Sequence, residues 1–429
     1  LKKLYCMVHY RKCSTLFIQS NIPKNPCEII NPYIGCDNIF LCLFFILLMK
    51  QYDYIILGAG ASGLMLAFRM SQDSFFDEKS ILIIDQEKDK GNDRTWCYWE
   101  DGCGEWDDLL TKTWPKVFFG CEAFSKTITI TPYSYKMIRS EKFYDNLWSS
   151  IDLKTNITFI EDSVTNYSEV DKGVTVDTNK STYFGLKLLN SIPNKTVYET
   201  QQKYPVLQQH FMGWFVKTKT DCFDDSVASF MDFNIPQNGN TRFMYVLPID
   251  KSTALFEYTL FSKDLLIHSE YEDAIKDYLK QKKITDFEIL EKEIGSIPMT
   301  SFKFEELNSK SILNIGTAGG WTKASTGYTF NNTSKKTKDL VAFLKTENDL
   351  TQFSKRTKFW FYDLLFLDVL ANNNGIGSTV FASMFKKVNA KTILKFLDEE
   401  STFLQDLKIM SSVSPKLFLS AIFKRIFKS

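Results

Sequence analysis

The most informative hydrophobic pattern in the chain is a short apolar run, residues 54–57, that leads directly into a glycine-rich turn and a helix-like stretch. The turn places Gly58, Gly60 and Gly63 in the spacing Gly-x-Gly-x-x-Gly. In a dinucleotide-binding turn the first glycine permits the bend, the second lets the backbone approach a pyrophosphate, and the third lets the helix lie close on the strand. The glycines alone are a weak signal, but with a strand before them and a helix after them they predict nucleotide binding.

The residues after this turn support the same interpretation. The helix would present the N–H groups of Ala61 and Ser62 to the phosphates, at the positive end of its dipole. A second apolar run, residues 80–84, ends in Asp85. This acid lies about 20 residues past the last glycine, where such an acid binds a ribose hydroxyl. We therefore predict that Asp85 is part of the nucleotide site.

Strand-like patterns dominate the next part of the chain. β-Branched or alternating stretches occupy residues 126–131, 155–159, 173–177, 213–217, 228–233, 242–247 and 253–261. One amphipathic helix, residues 269–281, follows them, with Ser269 as its predicted N-cap. So many strands between nucleotide-binding motifs indicate a sheet domain inserted into an α/β domain.

A second strand-and-glycine pattern begins at residues 311–315, a buried run that enters a glycine-rich loop before the chain turns helical. This loop could bring backbone N–H groups to a second part of the cofactor. Its candidate cofactor-binding residues are Gly316, Thr317, Gly320, Thr326, Gly327 and Tyr328. From residue 335 to residue 429 the pattern is mainly helical.

Residues 1–48 differ in character from the rest of the chain. They contain five of the nine cysteines and end in an apolar run, residues 39–48, that is too short to span a bilayer. No small-residue cleavage site follows the run, which argues against a signal peptide. We interpret Met49 as the true start and the preceding residues as an upstream translation artefact, with a membrane anchor as the alternative.

Composition narrows the possible functions. A net charge of +1 gives no indication of nucleic-acid binding. The chain has three histidines and lacks the His-Glu-x-x-His, Gly-x-Ser-x-Gly and Cys-x-x-Cys motifs, which argues against metal sites and serine hydrolases and suits a reducing compartment. The 37 Phe could line a long apolar cavity, although a compositional bias toward Phe, Lys and Asn would explain them equally well.

From residue 49 onward the chain resembles the flavin-dependent lycopene cyclases of carotenoid biosynthesis, of the bacterial β-cyclase type. The glycine motif is shared with many flavoproteins, so the resemblance depends on several motifs in this order. They are Gly58-Ala-Gly-Ala-Ser-Gly63, Asn92-Asp-Arg-Thr-Trp96, Gln209-His-Phe-Met-Gly-Trp214, Phe230-Met-Asp-Phe233, Tyr245-Val-Leu-Pro248, Ala254-Leu-Phe-Glu-Tyr-Thr-Leu-Phe-Ser262, Gly295-Ser-Ile-Pro-Met-Thr300, Gly316-Thr-Ala-Gly-Gly320 and Ser325-Thr-Gly-Tyr328. Many relatives in the wider flavoprotein group have Gly-Asp in the second flavin loop, whereas this chain has Gly316-Thr317, which argues against a hydroxylase.

The resemblance implies bound FAD, reduced by NAD(P)H, and a reaction that closes the acyclic ends of lycopene into β-rings without net redox change. A general acid would protonate the terminal double bond, and an internal double bond would attack the resulting carbocation. Loss of a proton would then give the β-ring. Reduced anionic flavin would stabilise the cation electrostatically.

The expected fold class is therefore α/β, with a Rossmann-type FAD-binding domain, an inserted mixed or antiparallel β-sheet substrate domain and a helical C-terminal part. After a non-native extension at 1–48, the two parts of the FAD-binding domain are expected at 49–150 and 301–345. A mainly β substrate-binding region is expected at 151–300 and a helical region at 346–429.

Glu257 is the candidate general acid. Alternation in the strand 254–262 puts Leu255 and Glu257 on one face, and both faces are largely apolar, so the carboxyl should be desolvated. Desolvation raises the pKa of a carboxyl and lets it hold a proton near neutral pH. The structural alternative is a buried glutamate paired with Arg or Lys. Asp232 is a second candidate, able to stabilise the cation or accept a proton, with a hydrogen-bonded structural acid as its alternative.

Two cations are candidates for neutralising cofactor charge. Arg94 lies near Trp96 and Trp99, which suggests a buried cation close to a phosphate or a ring. A surface loop anchored by the tryptophans is the alternative. Lys323 could also neutralise flavin charge, with a surface position as its alternative.

The end of the chain indicates a membrane surface as a partner. Long carotenes dissolve in bilayers, so a cytoplasmic cyclase must reach one. As a helix, residues 415–429 would carry cations opposite a broad apolar face, which is typical of an interfacial helix. That face consists of Phe418, Leu419, Ile422, Phe423, Ile426 and Phe427. The alternative is a terminal helix packed on the protein's own core.

Two other functions remain open. Another flavin enzyme that acts on apolar isoprenoids, a monooxygenase or a prenyl reductase, would share the fold and the nucleotide motif, although Glu257 and Gly316-Thr317 argue against it. A flavin-binding carotenoid carrier without catalysis is the second alternative, against which an intact candidate acid argues weakly.

Overall fold

The computed structural model describes residues 50–427, so the extension at 1–48 and the start at Met49 lie outside the described residues. Within this range the strands are β1 Gln51–Leu57, β2 Ile81–Asp85, β3 Thr95–Asp101, β4 Leu110–Trp114, β5 Lys116–Cys121, β6 Phe124–Thr129, β7 Tyr133–Arg139, β8 Ile157–Glu161, β9 Val164–Val170, β10 Gly173–Thr178, β11 Thr182–Asn190, β12 Val206–Thr218, β13 Val227–Asp232, β14 Thr241–Pro248, β15 Thr253–Ser262, β16 Phe287–Thr300 and β17 Ile312–Asn314. The α-helices are α1 Ala61–Gln72, α2 Ser140–Ile151, α3 Lys195–Glu199, α4 His268–Gln281, α5 Phe330–Leu344, α6 Lys358–Asn372, α7 Gly377–Lys387, α8 Ala390–Leu397, α9 Phe403–Ser412 and α10 Pro415–Phe427.

The first sheet carries the glycine turn. Strands β8, β2, β1, β11 and β17 pair in parallel, and β10 and β9 add antiparallel pairs beside β11. The apolar run of β1 is buried because parallel sheets are covered on both faces. Ligands bind at the carboxyl ends of such strands. The turn after β1, Asp85 at the end of β2 and the loop after β17 therefore meet at one edge.

The second sheet has the order β16-β12-β15-β14-β13-β5-β6 and is antiparallel except for the β13–β5 pair. Helix α4 covers one face, where Phe256 and Tyr258 of β15 pack with Tyr271 and Ile275. A three-stranded antiparallel sheet, β3-β7-β4, completes the β structure of the described chain.

The C-terminal helices pack on the opposite face of the second sheet. Leu255 of β15 and Phe243 of β14 belong to the same core cluster as Phe381 and Met384 of α7. Helices α6 to α10 fill residues 358–427, which matches the helical pattern predicted there. None of the helices between residues 50 and 427 has the length and apolar character needed to cross a bilayer.

Some details differ from the sequence predictions. The helix predicted from Ser269 begins at His268, so the prediction of Ser269 as its N-cap is wrong: Ile267 occupies that position and donates its N–H to the Glu270 carboxylate at 3.3 Å. The pattern did not reveal β16. The two large sheets also do not follow the expected domain ranges. Strands β5 and β6, from the range 49–150, join the second sheet, and strands β8 to β11, from the range 151–300, join the first. The division into domains at those ranges stays a prediction.

Candidate active site

The glycine turn has the conformation that its sequence predicts. Gly58 adopts a φ of +88°, in the left-handed region that favours glycine. A side chain at Gly63 would collide with the carbonyl of Gly58, so this glycine lets α1 lie close on the strand. A side chain at Gly60 would meet no protein atom within 4 Å. Gly60 therefore faces open space, as a close approach to a ligand requires.

Asp85 and the start of α1 stand beside the turn. The N–H of Ala59 donates to the Asp85 carboxylate, and Lys90 pairs with the same group at 2.7 Å. Ala61 and Ser62 open α1, where the first N–H groups of a helix have no intrahelical partner. These residues border a cavity that also reaches Arg94. The edge of the cavity therefore offers helix N–H groups and cations to an anionic ligand.

The second glycine loop approaches the first from across the cavity. Gly316 has a φ of +59°, and a side chain there would collide with Ser62. Gly320, with a φ of +67°, makes room for the ring of Phe304. Gly327 likewise has a positive φ and lies against Gln209. Of these glycines, Gly316 therefore lets the second loop approach the first.

The central cavity between these loops and the second sheet has a volume of about 520 Å³. The predicted residues that line it are Gly58, Gly60, Ala61, Ser62, Asp85, Arg94, Glu257, Thr317, Thr326, Gly327 and Tyr328. Two of its polar atoms, Oε1 of Gln209 and Oγ1 of Thr326, are buried without a hydrogen-bond partner among the described residues. Buried polar groups are nearly always paired, so these atoms indicate a polar ligand. With the open turn, they fit a dinucleotide.

Glu257 faces this cavity from the middle of β15. In the register of the sheet Gly213 of β12 lies opposite Glu257 on one side and opposite Glu293 of β16 on the other. Because Gly213 has no side chain, the two glutamates meet across it, and each carboxyl group affects the pKa of the other. A side chain at Gly213 would contact both Leu255 and Glu293. The register thus creates a pair of carboxyl groups at the cavity.

The environment of the pair favours a proton on Glu257. Desolvation by burial raises the pKa of Glu257 to about 8, and the nearby charge of Glu293 acts in the same direction. The hydroxyl of Thr259 donates to Glu257 at 2.7 Å and opposes this rise only in part. Burial also raises the pKa of Glu293, but the Thr95 hydroxyl and the charge of Arg139 lower it. Glu293 is therefore the more acidic member, and Glu257 retains the shared proton near neutral pH.

Thr95 and Arg139 connect Glu293 to a wider network. Thr95 donates to Glu293 at 2.7 Å and accepts a hydrogen bond from Arg139 at 3.1 Å. Arg139 also forms a bidentate ion pair with Glu291, with both contacts at 2.6 Å. The alternative of Glu257 as a structural partner of Arg or Lys is not observed among the described residues, because its carboxyl group accepts from Thr259 and lies beside Glu293.

Aromatic side chains form the wall near the carboxyl pair. The hydroxyl of Tyr328 lies 3.2 Å from that of Tyr135 and 3.4 Å from that of Tyr245, and all three residues line the cavity. Trp99 packs edge-on against Tyr328 at a centroid distance of 4.7 Å, and Phe230 stacks on it at 6.2 Å. Burial raises the pKa of each phenol, so the rings stay neutral. Neutral ring faces attract cations.

Asp232 lies elsewhere and is not among the described residues that line the central cavity. The hydroxyl of Tyr278 on α4 donates to its carboxylate at 2.6 Å, and Asn234 donates at 2.8 Å. Lys282 approaches to 3.5 Å. Asp232 is therefore a hydrogen-bonded acid between the second sheet and α4, which corresponds to its structural alternative.

The two candidate cations also differ in position. Arg94 is exposed at the cavity edge, so the expectation of a buried cation is wrong. Among the described residues its guanidinium donates to the carbonyl of Asp93 at 2.8 Å. Lys323 is buried and pairs with Asp363 and Glu399, each at 3.0 Å. Burial opposes its charge, but the two acids outweigh this effect and raise its pKa. Through these two ion pairs Lys323 connects the second glycine loop to the C-terminal helical region.

Comparison with known proteins gives a family and a fold. A family model for lycopene cyclase protein matches residues 53–424. No curated protein matches the chain with statistical significance.

Three solved structures have a similar fold. A geranylgeranyl bacteriochlorophyll reductase-like protein from Thermoplasma acidophilum has a TM-score of 0.56 and 10% identity, and the match covers 87% of this chain and 98% of that chain. The flavin-dependent brominase Bmp2 has a TM-score of 0.53 and 14% identity, and the match covers 89% of this chain and 100% of that chain. A variant of halogenase PltM in complex with FAD has a TM-score of 0.52 and 10% identity, and the match covers 86% of each chain. At such identities the likeness shows the fold alone, and it confirms the predicted fold class.

Proposed function

Because the chain belongs to the lycopene cyclase protein family, we propose that it closes the acyclic ends of lycopene into β-rings by an acid-initiated isomerisation. The reaction would leave the substrate's mass unchanged. The family alone does not set this chemistry, so the proposal depends on what the side chains at the central cavity can do.

The observation that carries the proposal is the carboxyl of Glu257, which faces the central cavity from β15 and is desolvated there. A carboxyl with a pKa of about 8 holds its proton near neutral pH, which an ordinary glutamate does not. It faces the cavity beside the apolar side chain of Leu255. A protonated acid at an apolar surface is what protonation of an unactivated carbon–carbon double bond requires.

In the proposed reaction Glu257 donates its proton to the terminal double bond, and a carbocation forms at the neighbouring carbon. The π electrons of an internal double bond attack this centre and close the six-membered ring, which moves the positive charge into the ring. Loss of a ring proton leaves the new double bond. The Glu257–Glu293 pair, negative after it has donated, is the nearby group able to take that proton back. Protons and electrons therefore balance without an oxidant.

The aromatic wall would stabilise the cation while the ring closes. The faces of Tyr245 and Tyr328 are neutral and border the same cavity as Glu257. Cation–π contacts contribute roughly 0.5 to 2 kcal/mol each, more when water is excluded. The same rings would exclude water, which would otherwise trap the cation as an alcohol.

FAD is the cofactor that we propose for the edge of the cavity. The N–H groups of Ala61 and Ser62 would hold its pyrophosphate and Asp85 its ribose, with Arg94 near the phosphates. Gly316, Thr317, Gly320, Thr326 and Gly327 would belong to the second part of its site. In its reduced, anionic form, for which we propose NAD(P)H as the reductant, FAD would supply negative charge that stabilises the cation.

We also propose that the protein works in the cytoplasm at a membrane surface, where its substrate is dissolved. One part of helix α10 packs on the protein's own core, and another part is exposed and available to a membrane surface. Leu417, Phe418 and Ile422 pack on the protein, whereas Ile426 and Phe427 remain 62% and 77% exposed. Arg425 forms a bidentate ion pair with Asp368, so it anchors the helix rather than facing lipid headgroups.

The experiment that tests the function is expression of the protein in cells that accumulate lycopene, followed by pigment separation and mass measurement. The expected products are cyclic carotenes with the mass of lycopene. A product with an added oxygen or added hydrogens would replace the proposal with a monooxygenase or a prenyl reductase. Unchanged lycopene, with FAD bound to the purified protein, would favour a carrier.

A further inference from the structure

A second cavity lies among the C-terminal helices, outside the site described above. Its volume is about 480 Å³, and its wall is almost entirely apolar. Phe residues from all five helices α6 to α10 contribute to it, namely Phe361, Phe366, Phe381, Phe396, Phe403 and Phe418. The charged residue at its wall, Asp363, is paired with Lys323 at 3.0 Å. The cavity is therefore suited to a hydrocarbon and not to a polar ligand.

Within residues 50–427, this cavity and the central cavity share one lining residue. Thr326 lines both cavities, Ser325 lines the second cavity, and Gly327 lines the central cavity. The hydroxyl of Thr326 is buried and has no hydrogen-bond partner among the described residues. The loop that would hold the second part of the cofactor is thus also the wall between the two cavities.

We propose that the second cavity holds the remainder of the polyisoprenoid chain while one of its ends reacts at Glu257. This inference rests on the proposed function. Lycopene has forty carbons, and one of its two end groups takes part in each ring closure. The central cavity must also accommodate the cofactor. The apolar space on the far side of Thr326 gives the rest of the chain a place away from water.

The mouth of the second cavity indicates how the chain enters. Four large hydrophobic side chains line the cavity and are also exposed, namely Phe361 at 40%, Phe403 at 63%, Met410 at 37% and Leu419 at 51%. Apolar residues grouped at an opening mark a ligand groove or a membrane contact. Leu404, Phe423, Ile426 and Phe427 extend the exposed apolar surface along the same two helices, α9 and α10. A chain dissolved in a bilayer could therefore pass from lipid to cavity without crossing water.

Two substitutions test this inference, with one matched control. Leu419→Glu places a charge at the mouth, where an exposed position tolerates it, and Val380→Trp fills the cavity from α7. Leu153→Glu introduces the same charge at a leucine that is 81% exposed, lies in the nucleotide-binding part and is not among the described residues that line either cavity. Binding of lycopene dispersed in detergent is measured by gel filtration with absorbance detection, and ring formation is measured separately. FAD content and melting temperature check folding.

We expect Leu419→Glu and Val380→Trp to reduce bound lycopene and turnover at least tenfold, while Leu153→Glu behaves as the unsubstituted protein. Unchanged binding by folded Leu419→Glu and Val380→Trp would overturn the inference, as would an unsubstituted protein that binds no lycopene. If the unsubstituted protein binds lycopene without forming rings, and the two substitutions abolish binding, the proposed reaction fails and the cavity assignment stands.

Discussion

At the scale of single residues, the proton on Glu257 is the decisive feature. Glu257→Gln preserves the size of the side chain and its hydrogen bond with Thr259 but has no acidic proton. We expect the variant to fold, to bind FAD and to lose roughly 10²- to 10⁴-fold in ring formation, which is the usual contribution of a general acid. The measurement is single-turnover ring formation at saturating lycopene. Activity within about threefold of the unsubstituted protein would remove Glu257 from the acid role.

Glu293 acts through Glu257, and pH dependence separates this positioning role from a structural one. Activity needs protonated Glu257, so it should be present below a pH of about 8 and be lost as the pH rises through that value. Glu293→Gln removes the negative charge that raises the pKa of Glu257. We therefore expect the falling limb of the pH–rate profile to move to lower pH.

The matched control for Glu293→Gln is Glu288→Gln, an exposed position on the same strand. We expect the control to keep the original limb. A Glu293→Gln variant with lower activity but an unmoved limb would make Glu293 a structural residue.

The residue scale also shows where sequence reasoning stops. Glu257 could be identified because alternation within one strand places it on an apolar face. Glu293 was missed, because Glu288, Glu291 and Glu293 lie close together and look like a solvated edge. Only the register across Gly213 brings Glu293 to Glu257, and that register joins residues 36 apart along the chain, a non-local fact. The position of Gly213 between two carboxyl-bearing strands was the available signal.

At the scale of elements, the turn between β1 and α1 allows an effect on FAD binding to be distinguished from an effect on folding. A side chain at Gly60 meets no protein atom, and its φ of −81° is open to any residue. We expect Gly60→Val to fold with an unchanged melting temperature of the cofactor-free protein and to lose FAD, because the side chain would occupy the pyrophosphate position. Flavin absorbance per protein measures the loss, and normal flavin content would refute the assignment.

Gly63 offers the contrasting case in the same motif. A side chain there would collide with the Gly58 carbonyl, so Gly63→Ala should lower the melting temperature even without cofactor. A stable, cofactor-free Gly63→Ala protein would mean that the close packing of α1 on β1 is not required.

Local sequence patterns predicted individual strands and helices well, but they did not predict how distant strands pair. Strand, turn and helix at residues 51–72 are specified by neighbours in sequence, so they could be read directly. The aromatic wall takes Tyr135 from β7, Tyr245 from β14 and Tyr328 from the second glycine loop, and no local signal joins them. Sheet membership of β5 and β6 likewise depends on pairing with a strand more than 100 residues away.

At the scale of the whole molecule, the exposed apolar surface of α9 and α10 should direct the protein to a membrane. Replacing both Ile426 and Phe427 with Glu leaves the ion pair of Arg425 and the packing of Phe418 intact. We expect the double variant to keep FAD and to lose about tenfold or more in sedimentation with anionic liposomes, since each large apolar side chain contributes roughly 1.5 to 3 kcal/mol when buried.

The control for this variant is Leu153→Glu, an exposed leucine of the nucleotide-binding part that is 81% exposed. It should sediment as the unsubstituted protein does. Equal liposome binding by all three proteins would exclude this surface of α10 as the membrane contact.

The central claim is that a proton from Glu257 begins an isomerisation, and isotope incorporation tests it most directly. With reduced FAD and lycopene in D₂O, an exchangeable carboxyl delivers a deuteron to carbon before the ring closes, and a different proton leaves. The account therefore predicts one deuterium in each ring formed by the unsubstituted protein, no mass change in ordinary water and ring formation reduced by roughly 10²-fold or more in Glu257→Gln. Rings formed in D₂O without deuterium would contradict it.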